Sequence, residues 1–140
     1  MTIQTLLDRA AIRDVLLHYA RGVDRRDLAA VRACFTPDCA YEGTLARGTI
    51  ADALTSLAER LGRYAGTMHL MGNQLITVDG DAAASETSCV AYHRLADGGA
   101  DFVTGVRYID DLVRDGCDWR IRRRAVRLDW QRHDATALPA

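Results

Sequence analysis

The hydrophobic pattern of this chain changes period once, near Thr67, and that change limits the folds open to it. Ahead of it apolar residues recur at helical spacing, and after it they recur at about every second residue, the spacing of strands. Ile12, Leu16, Tyr19 and Val23 mark one face of a helix that begins near Ile3 to Leu6. Asp27 stands where an N-cap belongs, ahead of a short helix running to Phe35, and Thr36-Pro37-Asp38 stops it. A short strand from Cys39 to Glu42 and a turn-rich connection from Gly43 to Gly48 follow. Thr49 with Asp52 resembles a capping box for a third helix, whose buried side is Ile50, Leu54, Leu57 and Leu61 and which Gly62 ends.

The later runs read as a meander of long antiparallel strands. Asp79-Gly80 is a hairpin signal between Leu75-Ile76-Thr77-Val78 and the run ending in Val90-Ala91-Tyr92-His93. Ala96 to Gly99 separates a strand from Phe102 to Val113, and Asp115-Gly116 turns the chain into a last strand from Asp118 through Trp130. Three helices followed by four strands predict an α+β domain, a cone-shaped barrel in which a curved antiparallel sheet wraps around the helices. With 140 residues, 49% of them hydrophobic and 26% charged, residues 1–140 are expected to form one domain with one core. The open mouth of such a cone suits an apolar pocket with a few converging polar groups, the character of a small-molecule site.

Charge and cysteine usage narrow the partners. Eighteen basic side chains against 19 acidic ones leave a net charge of -1, so no long-range field points to nucleic acid or an anionic membrane. The one basic cluster, Arg120, Arg122, Arg123 and Arg124, lies in a strand, where alternation divides it between two faces. No run approaches the ~20 apolar residues of a membrane span, and Asp8 and Arg9 interrupt the amino terminus before a signal peptide could form, so a cytoplasmic location is expected. Cys34, Cys39, Cys89 and Cys117 lack metal-binding spacing and read as reduced, mostly buried thiols; no metal is expected.

The residues that carry chemistry are Asp24, at the end of Tyr19-Ala20-Arg21-Gly22-Val23-Asp24, and His69, in Met68-His69-Leu70. An aspartate that accepts a hydrogen bond from one ring nitrogen fixes the imidazole tautomer and leaves the other nitrogen free to move a proton. Taken alone, Asp24 reads as a cap on the turn between two helices, His69 as a satisfied core histidine, and Tyr19 as core.

A resemblance changes that weighting. Tyr19-x4-Asp24-x2-Asp27, Phe35-Thr36-Pro37-Asp38, Met68-His69-Leu70-Met71-Gly72-Asn73, Val78-Asp79-Gly80-Asp81 and Trp119-Arg120-Ile121, in that order, resemble the SnoaL-like branch of the nuclear-transport-factor-2-like superfamily. The resemblance implies the cone-shaped barrel, frequent dimers or higher homo-oligomers, and relatives that are dehydratases, isomerases, cyclases, dehydrochlorinases or binding proteins. It also implies an Asp/His pair at Asp24 and His69, a tyrosine at Tyr19 and an arginine near Arg124 as catalytic residues. By strand parity Arg122 and Arg124 share a face with Leu128 and Trp130, and Arg123 and Arg127 lie opposite; one bulge would exchange the sets.

Related dehydratases can use a second histidine near His93. A two-residue hairpin at Asp79-Gly80 instead pairs His69 with Val90 and puts Tyr92 on its face, which makes Tyr92 the expected pocket residue. His93, Asn73, Tyr41 and Trp130 complete the expected substrate-binding set. The expected function is cofactor-free elimination or isomerisation of a small hydrophobic hydroxy or carbonyl compound such as a steroid, polyketide or terpenoid. A non-catalytic binding or dimerisation module is the alternative, and an epoxide hydrolase, with Asn73 holding water, is a third reading.

Overall fold

The helices form where the pattern places them and stop where the caps dictate. In the computed structural model, which describes residues 1–135, α1 spans Ile3–Asp24 and Thr2 accepts the Thr5 N–H at 3.1 Å as its N-cap. Its buried stripe includes Ile12, Leu16, Tyr19 and Val23. Asp27 caps α2 (Leu28–Ala33) through the Ala30 N–H at 3.0 Å. This helix ends before the expected Phe35, which instead opens strand β1 (Phe35–Glu42). A capping box starts α3 (Ile50–Leu61): the Thr49 hydroxyl accepts the Asp52 N–H and the Asp52 carboxylate accepts the Thr49 N–H. α1 and α2 approach so closely at Gly22 that a Cβ there would lie 2.8 Å from Val31 Cγ2. Only glycine fits that crossing.

The four long strands are β3 (Tyr64–Asp79), β4 (Ala82–Leu95), β5 (Asp101–Asp115) and β6 (Asp118–Asp134), with β2 (Arg47–Thr49) formed inside the expected turn region. They make one curved, unclosed sheet in the order β2-β1-β6-β5-β4-β3, in an α+β fold with three helices. All neighbours are antiparallel except β1 and β6, which run parallel, so the sheet is mixed rather than wholly antiparallel. No helix among the described residues is long and apolar enough to cross a membrane.

Irregularities in the strand pairing decide which side chains reach the interior, and three of them bear on the residues expected at the site. At Gly72–Asn73, β3 carries one residue more than β4 between Met71↔Cys89 and Gln74↔Thr87. Two more extra residues, Arg122 and Asp129, sit in β6 opposite steps Asp111/Leu112 and Gly105/Val106. Each inserted residue reverses the inward and outward faces beyond it.

At the centre of the interior lies a charge. Arg124 is 0% exposed, and its Nε and Nη2 donate to the two carboxylate oxygens of Asp110, itself buried, both at 2.8 Å. The guanidinium carbon lies 4.3 Å from the Tyr19 ring centroid, 4.4 Å from Tyr108 and 5.2 Å from Phe35. Burial would depress the Arg124 guanidinium, but Asp110 reverses that and raises it above its ordinary value. A buried ion pair has a high desolvation cost and survives through bidentate geometry and surrounding rings. Asp110→Ala leaves the arginine charge uncompensated and is expected to destabilise by about 3–5 kcal/mol in urea unfolding. The double variant Asp110→Leu/Arg124→Met should recover most of that loss. Equal stability of single and double variants would mean that the charge is not confined.

Candidate active site

The end of α1 and the edge of the sheet meet at Asp24. β3 is an edge strand, so one row of its backbone groups has no strand partner. Asp24 Oδ2 accepts the His69 backbone N–H at 2.9 Å, Oδ1 accepts the Thr67 hydroxyl at 2.9 Å, and Oδ1 lies 2.7 Å from His69 Nδ1. Burial pushes the Asp24 carboxyl up, but the hydrogen bonds from the His69 ring, the His69 N–H and Thr67 outweigh it and hold the group below its ordinary value of 3.8. An ionised carboxylate only accepts, so Nδ1 carries the proton, and in the neutral ring the lone pair lies on Nε2. The His69 side chain is 8% exposed and its ring lines the cavity inside the cone, whereas Asp24 sits behind it.

That cavity, of about 240 Å³, is walled by Val23, Leu57, Leu61, Val106, Val126 and other apolar side chains. Tyr19, Tyr41 and Tyr108 supply phenols to it, and His93, Thr104 and Gln131 add further polar groups. Burial raises all three phenols above their ordinary value, so they are neutral hydrogen-bond donors. His93 Nδ1 donates to the Phe102 carbonyl at 3.0 Å, and its ring meets His69 edge-on with centroids 6.0 Å apart. Burial lowers the His93 pKa below 6.5, which keeps the ring neutral at neutral pH.

Several expected residues stand elsewhere. The hairpin turns at Gly80-Asp81, pairing Asp79 with Ala82, and the extra residue at Gly72–Asn73 then brings His69 opposite Ala91. His93 therefore shares the inward face with His69, and Tyr92 points outward, 39% exposed. Without that bulge the register would have put His69 opposite Tyr92. Asn73 is part of the bulge, exposed and away from the cavity, which removes the one residue that favoured an epoxide hydrolase.

In β6 the extra residue Arg122 leaves Arg124 inside, and Asp129 turns Trp130 to the outer face, where it packs over Gly105. Gln131 takes the inward place expected of Trp130. Arg123 and Arg127 face outward, bonded to Asp111 and Glu42. Arg124 is no part of the cavity lining; it reaches the site only through the rings of Tyr19 and Tyr108.

Among the described residues no group of three or more His, Cys, Asp and Glu is arranged to hold a metal ion. Cys34, Cys39 and Cys89 are buried free thiols, pushed up to about 11 by burial, and Cys117 is exposed.

Comparison with known proteins agrees with this architecture. The model of the SnoaL-like domain matches residues 4–125, and the chain belongs to that family, a branch of the nuclear-transport-factor-2-like superfamily. An uncharacterized protein of Mycobacterium tuberculosis, Rv2910c, is 33% identical over 129 residues, covering 89% of this chain and 87% of its own. A crystal structure from Novosphingobium aromaticivorans that carries the name of a scytalone dehydratase superposes with a TM-score of 0.86 at 24% identity, covering 100% of this chain and 95% of its own. Hexachlorocyclohexane dehydrochlorinase LinA-type3 from Novosphingobium barchaimii gives 0.83 at 18% identity, covering 97% of both chains. At such identities the likeness is one of fold.

The Asp24 contacts imply a pH dependence. A carboxyl held below its ordinary value contributes stability that is present above pH 3.8 and is lost as the pH falls through its folded pKa. The stability difference between wild type and Asp24→Asn is therefore expected to be largest near neutrality and to shrink below pH 3.8. Urea unfolding in pH steps measures it, and a difference that stays constant into acid would show that the carboxylate is not preferentially ionised in the fold.

Proposed function

We propose that the protein is a cofactor-free lyase or isomerase acting on a small, neutral hydroxy or carbonyl compound, with Asp24 and His69 as its acid/base dyad. The 2.7 Å contact between His69 Nδ1 and Asp24 Oδ1 beside an open cavity carries this reading. His69 Nε2 removes a proton from the carbon next to a carbonyl, and the carboxylate stabilises the imidazolium that forms. The Tyr19, Tyr108 and Tyr41 phenols donate to the oxygen that gains charge. In a dehydration the electron pair then expels a β-hydroxyl, which takes the proton from His69 Nε2 and leaves as water. In an isomerisation the same proton returns at another carbon. Arg124 acts as a positioning residue for Tyr19, and His93, a neutral ring beside His69, completes the substrate wall with Tyr41.

The binding-module reading would be favoured by a collapsed pocket or a separated pair. The open cavity and the short contact favour catalysis instead. Dehydratase and dehydrochlorinase names among structures of like fold are consistent with this class of reaction.

The partner we infer is a second copy of this chain. A sheet with its inner face on helices normally turns polar side chains outward. Here Met68, Leu70, Tyr92 and Trp130 are 60%, 59%, 39% and 41% exposed on the outer face. Monomers rarely leave apolar patches beyond a few hundred Å² uncovered, and a stable dimer buries about 800 Å² per partner. The Arg107–Asp129 pair and Glu86 border the patch with both signs of charge, which suits a surface meeting its own image.

His69→Ala and Asp24→Asn are each expected to lower kcat/KM by about 10²–10⁴ with circular dichroism unchanged. Wild-type turnover in both would remove the dyad from the mechanism. Leu70→Lys should halve the mass found by analytical ultracentrifugation, and a wild-type chain that sediments as a monomer would sink the self-association.

A further inference from the structure

Arg26 is the one non-glycine residue with positive φ, 58°, among the described residues. It ends α1: the Asp27 N–H bonds the Gly22 carbonyl at 2.8 Å and the Arg26 N–H bonds the Val23 carbonyl at 3.1 Å. These two bonds make a Schellman stop, whose left-handed position is normally glycine. A side chain there costs roughly 1–2 kcal/mol. In this chain the arginine makes contacts that glycine could not. Its Nη2 donates to the Leu61 carbonyl at 3.1 Å and to the Tyr64 carbonyl.

Those two carbonyls are the joint between α3 and β3. Leu61 is the last residue of α3 and Tyr64 the first of β3, so Arg26 satisfies groups that the helix end leaves open. A closed circuit results. The backbone runs from Asp24 to Arg26, the guanidinium reaches Tyr64, the strand runs on to Thr67 and His69, and both of these bond back to Asp24. Because β3 is an edge strand with one strand neighbour, its position against α1 rests on such side-chain ties.

We propose that Arg26 is a positioning residue that fixes the β3 edge against the end of α1 and so sets the contact between Asp24 and His69. The proposal rests on the reading of that pair as an acid/base dyad. Strain at a single non-glycine residue marks a position where something other than helix termination is being served. Arg26 also holds Tyr64, whose ring packs 4.8 Å from His93, so the same strap steadies the wall beside the reacting ring.

The test is Arg26→Gly, which keeps the left-handed stop and relieves its strain, with Arg26→Lys as the conservative variant. Native-state hydrogen exchange followed by NMR is expected to show the protection of the His69 amide falling at least roughly tenfold in Arg26→Gly, about the size of one lost charge-assisted hydrogen bond. The Tyr108 and Leu112 amides in the central strand should be unaffected. The His69 Nδ1–H, seen in long-range proton–nitrogen spectra, should broaden by exchange with water, and Arg26→Lys should fall between. Unchanged His69 signals in Arg26→Gly would overturn the proposal, as would loss of protection spread evenly over the sheet. These readouts do not need turnover. If His69→Ala remained active while Arg26→Gly loosened His69, the dyad reading would fail and the strap would stand.

Discussion

The Arg124–Asp110 pair is the interaction on which the rest of the interior depends. A guanidinium in an apolar core is tolerable only where a carboxylate meets it in bidentate geometry and polarisable rings enclose it. Tyr19 from α1, Phe35 from β1 and Tyr108 from β5 provide that enclosure, which ties the first helix to both halves of the sheet. Tyr19 stands edge-on to both Phe35 and Tyr108, so the helix can neither rotate nor slide without unstacking the cage. With Tyr19 and Val23 held on the buried stripe, Asp24 falls about 100° further round the helix, toward the edge strand. The core charge thus orients the catalytic candidate without touching it.

Asp24 ties the helix end to the edge strand with the same three hydrogen bonds that hold the proposed dyad. Its carboxylate satisfies an edge amide that no strand covers, and that bond carries His69 with it. The ring tautomer follows from the contact that also docks the strand. The proposed dyad thus couples fold to function at this point, so loss of activity in an Asp24 variant would have meaning only beside evidence that β3 stays docked.

How much of this was legible in the sequence varied with the range of the signal. Helical period, the Asp27 cap, the Thr49/Asp52 box and the hairpin signals are local, and the elements they predicted are present. The parallel pairing of β1 with β6 has no local signature. Neither do the extra residues at Gly72–Asn73, Arg122 and Asp129, although each decides which neighbour faces inward. That is why Tyr92 was expected where His93 stands, and Trp130 where Gln131 stands. Asp110 has no local signature for a related reason: it lies among Ile109, Asp111 and Leu112, and only the cross-strand register pairs it with Arg124. Nothing local marks Arg26, because arginine is an unusual occupant of a left-handed helix stop.

The polar groups of the cavity suit the proposed reaction, in which negative charge appears as the proton is transferred. Arg60 is the one permanently charged side chain among the cavity's lining residues; it donates to the Thr44 carbonyl and keeps its positive charge. The Arg124 charge behind the wall is balanced by Asp110, so the floor presents dipoles rather than net charge. Three phenols raised by burial donate hydrogen bonds without ionising, and His93 remains neutral beside them. In the proposed reaction a carbonyl compound would gain negative charge as His69 takes its proton, in surroundings already oriented to receive that charge. On that proposal the site would be matched to the moment of proton transfer more than to the resting substrate, which is the condition under which binding energy accelerates a reaction.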